Sequence, residues 1–186
     1  MKYSLEFKNI IFYISIFFIS TYIILEVFAP AKTIDVLGFK SYVIISPSME
    51  PDIMINDVII IRKVQEDKLD VGDKIAFFVY IPELGKESTV THYIADIVVI
   101  DDETVYKTQG ANKEPDDYDI WKNASNEVID ITFDDIEGRV ALVIPNLGHL
   151  ANIVKDPISL GLIFINGFII YLLIKVFKTK EVKVDK

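Results

Sequence analysis

Hydrolysis of an amide by side chains alone needs a nucleophile, a base to take its proton and donors for the oxyanion. This sequence offers few candidates for those roles. It has no cysteine and two histidines, His92 and His149. The same scarcity makes a poor ligand set, so neither a metal nor another cofactor is implied. Ser48 lies in Ile45-Ser46-Pro47-Ser48-Met49-Glu50-Pro51, which follows the strand-like run Tyr42 to Ile45 and ends in proline. That places Ser48 in a constrained turn just after a strand, a suitable position for an exposed nucleophile, although Ser-Pro and Glu-Pro pairs mark ordinary turns far more often. His92 lies in Val-Thr-His-Tyr-Ile-Ala-Asp-Ile, where alternation puts His92, Ile94 and Asp96 on one face and Thr91, Tyr93 and Ala95 on the other. A histidine in a sheet is usually a half-buried structural residue, but a poised imidazole is also the natural base near neutral pH. His149, just ahead of a second apolar run, reads as an interfacial residue and ranks second. For an acid to orient the base, the segment after Gly110 offers Asp116, Asp117 and Asp119, among which spacing alone does not choose.

The elements around these residues are short runs of β-branched and aromatic side chains between turn formers. Val58 to Val64, Lys74 to Tyr80, Thr89 to Ile100, Thr104 to Thr108, Val128 to Phe133 and Gly138 to Ile144 read as strands. Asn56-Asp57, Val71-Gly72-Asp73, Asp101-Asp102 and Glu137-Gly138 read as the turns between them. The segment Gly110 to Asn126 is polar and acidic and reads as an exposed loop. The expected fold is mainly β, a sandwich or barrel of antiparallel strands.

Ile10 to Ala29 holds one charge, Glu26, near its far end. It matches the ~20 apolar residues that cross a bilayer, and it is too long and too aromatic for a cleaved signal peptide. Ile158 to Ile174 carries no charge and is a second, shorter candidate. Lys2 and Lys8 precede the first run, and Lys175, Lys178, Lys180, Lys183 and Lys186 follow the second. Positive flanks stay cytoplasmic, so the expected arrangement is a multi-pass cell-membrane protein with both termini cytoplasmic and the middle outside. Three regions follow: 1–29 as cytoplasmic end and first span, 30–157 as an extracytoplasmic β domain, and 158–186 as second span and basic tail. The middle region, roughly 130 residues, has room for one real core. With no cysteine there is no disulfide framework to report on the compartment. The formal charge of −9 argues against a basic face for nucleic acid.

Six segments in order, SPSMEP, NDVIIIRKV, DVGDKIAFFVY, VTHYIADI, KTQGANKEPDD and GRVALVIPNLG, resemble the boxes of type I signal peptidases across nearly the whole middle region. The resemblance implies a signal-peptidase-like β domain carrying a serine endopeptidase that removes signal peptides after small residues. It implies Ser48 as nucleophile and Ser46 as a hydroxyl donor to the oxyanion hole, beside the Ser48 amide. A histidine at the base position, His92, is the form found in the archaeal and endoplasmic-reticulum branch. Counting from Gly110 without a gap, the orienting acid falls on Asp117, and with a one-residue gap on Asp116. The chain departs from the family where GDNN reads Gly110-Ala111-Asn112-Lys113, which removes the first acid of that box, and where Tyr93 replaces a common arginine. The implied partners are signal peptides of preproteins, membrane lipid and the protein translocation channel. A protease for another envelope precursor, or a silent membrane-tethered accessory subunit, are the alternatives.

Overall fold

The computed structural model describes residues 2–150, 161–162, 165–172 and 175. Helix α1, Lys2–Phe28, contains the apolar run Asn9–Phe28, 20 residues of mean hydropathy 2.2 with none of its most apolar window buried. One helix among the described residues is thus long and apolar enough to cross a membrane. In the second apolar run, 161–162 and 165–172 are helical, and the rest of that run lies outside the described residues.

A short 3-10 turn at Pro30–Lys32 and helix α2, Thr33–Leu37, turn the chain into the sheet. Gly38 closes α2 at φ 77, a left-handed cap that glycine adopts without a Cβ penalty. Eight strands follow: β1 Phe39–Val43, β2 Val58–Arg62, β3 Lys74–Ile81, β4 Lys86–Ile100, β5 Glu103–Gln109, β6 Trp121–Lys122, β7 Val128–Ile129 and β8 Ile136–Ile144. Six form one sheet in the order β1-β2-β8-β3-β4-β5, and β6 and β7 form a separate hairpin. Every pairing is antiparallel. The fold is mainly antiparallel β behind an N-terminal apolar helix.

The sheet separates two apolar clusters, as side-chain alternation requires. On β3, Ala76 joins Ile44, Met49, Ile53, Ile59 and Ile61, while Ile75, Phe77 and Val79 join Ile94, Tyr106 and Ile131. Burying side chains of this size stabilises the fold by roughly 1.5–3 kcal/mol each. The sheet also curls: Thr89 Oγ1 on β4 donates to the Tyr42 hydroxyl on β1 at 3.3 Å, although three strands separate them in the sheet order.

The turns at Asn56, Gly72 and Asp101-Asp102 have the positive φ that their residue types favour, at 71, 93, 51 and 66°. Three local expectations need correction. Glu137-Gly138 is not a turn but lies within β8, where a Cβ on Gly138 would meet the Arg62 carbonyl oxygen at 2.6 Å, so glycine permits the close approach of β2. The segment 110–126 is not wholly loop, because Trp121–Lys122 pairs with Val128–Ile129. Asp96 does not share a face with His92: β4 bulges between Ile94 and Asp96, and Ile94 and Ile97 face the same cluster beyond the shift.

Candidate active site

Ser48 is placed by its neighbours. Beyond the end of β1, Ile44 bonds the Asn56-Asp57 backbone, with Ile44 N donating to Asp57 O and Asn56 N to Ile44 O at 2.9 Å each. Between them the chain turns tightly, Glu50 N bonding Pro47 O at 3.0 Å and Ile53 N bonding Met49 O at 2.8 Å. Met49 and Ile53 are buried at 1% and 0% exposure and pin this turn to the core. The half-buried Ser48 is therefore presented by a rigid frame, and its Oγ lies 3.4 Å from Ser46 Oγ.

His92 is fixed from the other side. It sits opposite Ile75 in the β3–β4 ladder, with the Phe77 and Trp121 rings 6.5 and 5.7 Å from its own. Its Nδ1 lies 2.6 Å from Asp119 Oδ2. The carboxylate is held in turn by Thr108 Oγ1, which donates to Oδ2 at 2.8 Å and accepts from Trp121 Nε1 at 2.8 Å. Asp119 N also donates to Thr108 O at 2.8 Å, so the acid is tied to β5 by backbone as well as side chain. Lys113 Nζ takes the other oxygen, Oδ1, at 3.1 Å.

Burial opposes ionisation of Asp119, but hydrogen bonds from His92, Thr108 and Lys113 and the His92 charge outweigh it and hold the carboxyl below the ordinary carboxylate range. An ionised carboxylate only accepts, so Nδ1 carries a proton toward Asp119, and in the neutral ring the lone pair is at Nε2. A Cβ on Gly110 would stand 3.6 Å from that Nε2 and 2.7 Å from the Ser48 carbonyl oxygen. Ser48 and His92 thus flank one glycine, whose lack of a Cβ lets the Ser48 carbonyl come close.

The acid is where the count from Gly110 goes astray. Neither Asp117 nor Asp116 meets His92: Asp117 is exposed and lies 3.8 Å from Lys113 Nζ, and Asp116 accepts from the Tyr118 hydroxyl at 3.4 Å. Asp116 has a left-handed φ of 66°, and the chain reverses there before Asp119 meets Thr108. His149 is exposed, and Ser46 lies beside Ser48. The missing acid at Ala111 leaves a side chain packed against the core cluster around Met49 and Ile53. Tyr93, in place of arginine, donates from its hydroxyl to Asp52, and Lys74 Nζ lies 3.4 Å from the same carboxylate and 5.2 Å above the Tyr93 ring. Tyr93 thereby ties the end of the Ser48 turn to β3 and β4. The sequence reading missed Gly110, Thr108, Trp121 and Lys113 as members of the site.

A groove of about 450 Å³ opens beside Ser48, lined by Tyr42 to Ser46, Met49 and the Lys86–Thr91 half of β4. Two strand edges border it. Among the described residues β1 is the end strand of its sheet, and the first half of β4 pairs with β3 alone, since pairing with β5 begins at Tyr93. Lys40 also lines the groove but is no base. Burial acts to lower its value, yet bonds to Glu137 and Tyr42 prevail and raise it, with Nζ 2.8 Å from Glu137 Oε1. A lysine base must shed its proton near neutral pH, and this one is held charged. That leaves His92 as the candidate for the role.

A scan against protein-family models and a search of curated proteins both find no match to this chain.

Proposed function

We propose that this protein is a membrane-bound serine endopeptidase that removes signal peptides from exported preproteins by cutting after small residues. The observation that carries the reading is Ser46 and Ser48 in a groove between two strand edges, with the His92–Asp119 pair across Gly110 from the Ser48 turn. The order and spacing of the type I signal peptidase boxes point the same way. An extended peptide can add to a free edge by main-chain hydrogen bonds while alternate side chains enter shallow pockets, which suits the small residues at a signal-peptide exit.

In the reaction, Ser48 Oγ attacks the scissile carbonyl as His92 Nε2 takes its proton. The Ser48 amide and Ser46 hydroxyl stabilise the oxyanion. His92 then returns the proton to the leaving amine, freeing the mature protein and leaving the signal peptide as an ester on Ser48. Water, deprotonated by the same imidazole, releases the signal peptide. Asp119 keeps Nδ1 protonated and stabilises the imidazolium. The chain is anchored in the cell membrane by α1 and by the second apolar run, both termini cytoplasmic and the β domain outside, where a signal peptide leaves the translocation channel.

The test is cleavage of a preprotein by the purified full-length chain in detergent. Ser48→Ala and His92→Ala, matched to wild type in circular dichroism, should each abolish cutting. Full activity in Ser48→Ala would overturn the reading, and cutting after large residues would point to a different envelope precursor.

A further inference from the structure

One charge beside the dyad has no part in proton transfer. Asp119 gives Oδ2 to His92 and Thr108 and Oδ1 to the Lys113 ammonium at 3.1 Å. Lys113 comes from the segment whose family counterpart would hold an acid at position 111, here alanine. Its backbone N–H bonds Gly110 O at 3.3 Å, so the lysine is rooted at the glycine that Ser48 and His92 flank. Its side chain is one-third exposed, whereas that of Asp119 is 7% exposed. The groups facing the pair are Phe77 of β3, Thr108 of β5 and Trp121 of β6, none of them charged, together with Lys113 itself. Asp117, 3.8 Å from Lys113 Nζ, is the next charge outward.

We infer that Lys113 is a positioning residue for the catalytic pair. The inference rests on the peptidase reading for its role in turnover, but not for its geometry. The ammonium holds Oδ1 and so turns Oδ2 toward Nδ1. Its charge also partly neutralises Asp119, so that the carboxylate pulls less strongly on an imidazolium and the imidazole stays free as a base at lower pH. Opposite charges favour, and like charges disfavour, the ionised form of a neighbour within about 4–6 Å. Lys113 therefore sets the lower pH limit of the site.

The sign is fixed. Without the cation the imidazolium forms more easily, so the acid limb of the pH profile moves upward.

The closing experiment uses full-length protein in detergent on a His149→Gln background, which leaves His92 as the single histidine. The His92 ring resonances are followed by NMR against pH in this chain and with Lys113→Gln or Lys113→Arg added. Preprotein cleavage is profiled against pH in parallel. Lys113→Gln should move the NMR midpoint and the acid limb up together by about half to one pH unit, and Lys113→Arg should restore both. A midpoint that stays put, or that both variants move equally, would overturn the inference. A midpoint that moves as expected in a chain whose wild type cuts no preprotein would sustain the Lys113 assignment and sink the peptidase reading.

Discussion

An ionised Asp119 decides which imidazole nitrogen does the work. Held by Thr108 and Lys113, it accepts Nδ1–H and leaves Nε2 toward Gly110 and the Ser48 turn. Asp119→Asn keeps the size but offers an amide whose N–H can face Nδ1 and invert the tautomer. In a serine protease triad the equivalent change costs about 10⁴ in kcat. Asp119→Asn should therefore lower the rate by about 10³–10⁴, whereas Asp117→Asn should change it by less than about threefold, because its carboxylate is exposed and pairs with the surface Lys113 at 3.8 Å. Parallel single-turnover assays decide between the two acids; the reverse ranking would return the role to Asp117. Ser48 and His92 stood out as candidates in the sequence because each sits on or just after a strand-like run, whereas Ser46 followed only from the resemblance. The acid was not legible. It lies beyond a chain reversal at Asp116 and is chosen by the tie to Thr108, a contact between segments that counting from Gly110 does not represent.

At the scale of elements, the site depends on close approaches between strand ends. Gly110 follows β5 and separates the Ser48 turn from His92 of β4. An alanine Cβ at 2.7 Å from the Ser48 carbonyl oxygen must push that turn away. A misplacement of about 1 Å costs on the order of 10²-fold in a positioned reaction. Gly110→Ala should lower kcat/KM by about that factor while circular dichroism stays that of a folded β domain; wild-type turnover would show that the turn gives way freely. A second contact joins β1 to β8 below the groove. Tyr42 donates to Glu137, and burial, reinforced by that carboxylate, pushes the phenol up to about 12 from an ordinary value of 10.0. The folded state then keeps a proton that the unfolded state loses, so this contribution to stability is complete below pH 10 and is lost as pH rises through about 12. Ultraviolet titration of wild type against Tyr42→Phe should show the missing phenol ionising near the top of that range, and loss of a phenol at pH 10 would contradict it. The main strands were legible because their β-branched runs are long. Trp121–Lys122 and the β4 bulge were not, since a two-residue strand has no period and a bulge changes face without changing composition.

For the whole molecule, the question is on which side of a membrane the groove opens. Helix α1 is joined to the domain by more than its connection: Tyr22 stacks on Phe39 of β1, rings 6.0 Å apart and 6° from parallel, and its hydroxyl lies 2.5 Å from Ser41 Oγ. A helix held this way fixes the height and facing of the β domain relative to the layer that α1 would cross. The lysines at the two chain ends argue that the domain lies outside. The absence of cysteine makes the orientation directly measurable. Leu84, 53% exposed in the turn between β3 and β4, gives a reporter on the domain as Leu84→Cys, and Lys183→Cys gives one in the basic tail. A membrane-impermeant maleimide on intact cells should label the first at once and the second only after the membrane is opened. Labelling of both on intact cells would give α1 alone the role of anchor and put the tail outside. Labelling of neither until lysis would place Ser48 in the cytoplasm, where preproteins still carry uncut signals and a signal peptidase would have no exported substrate to meet.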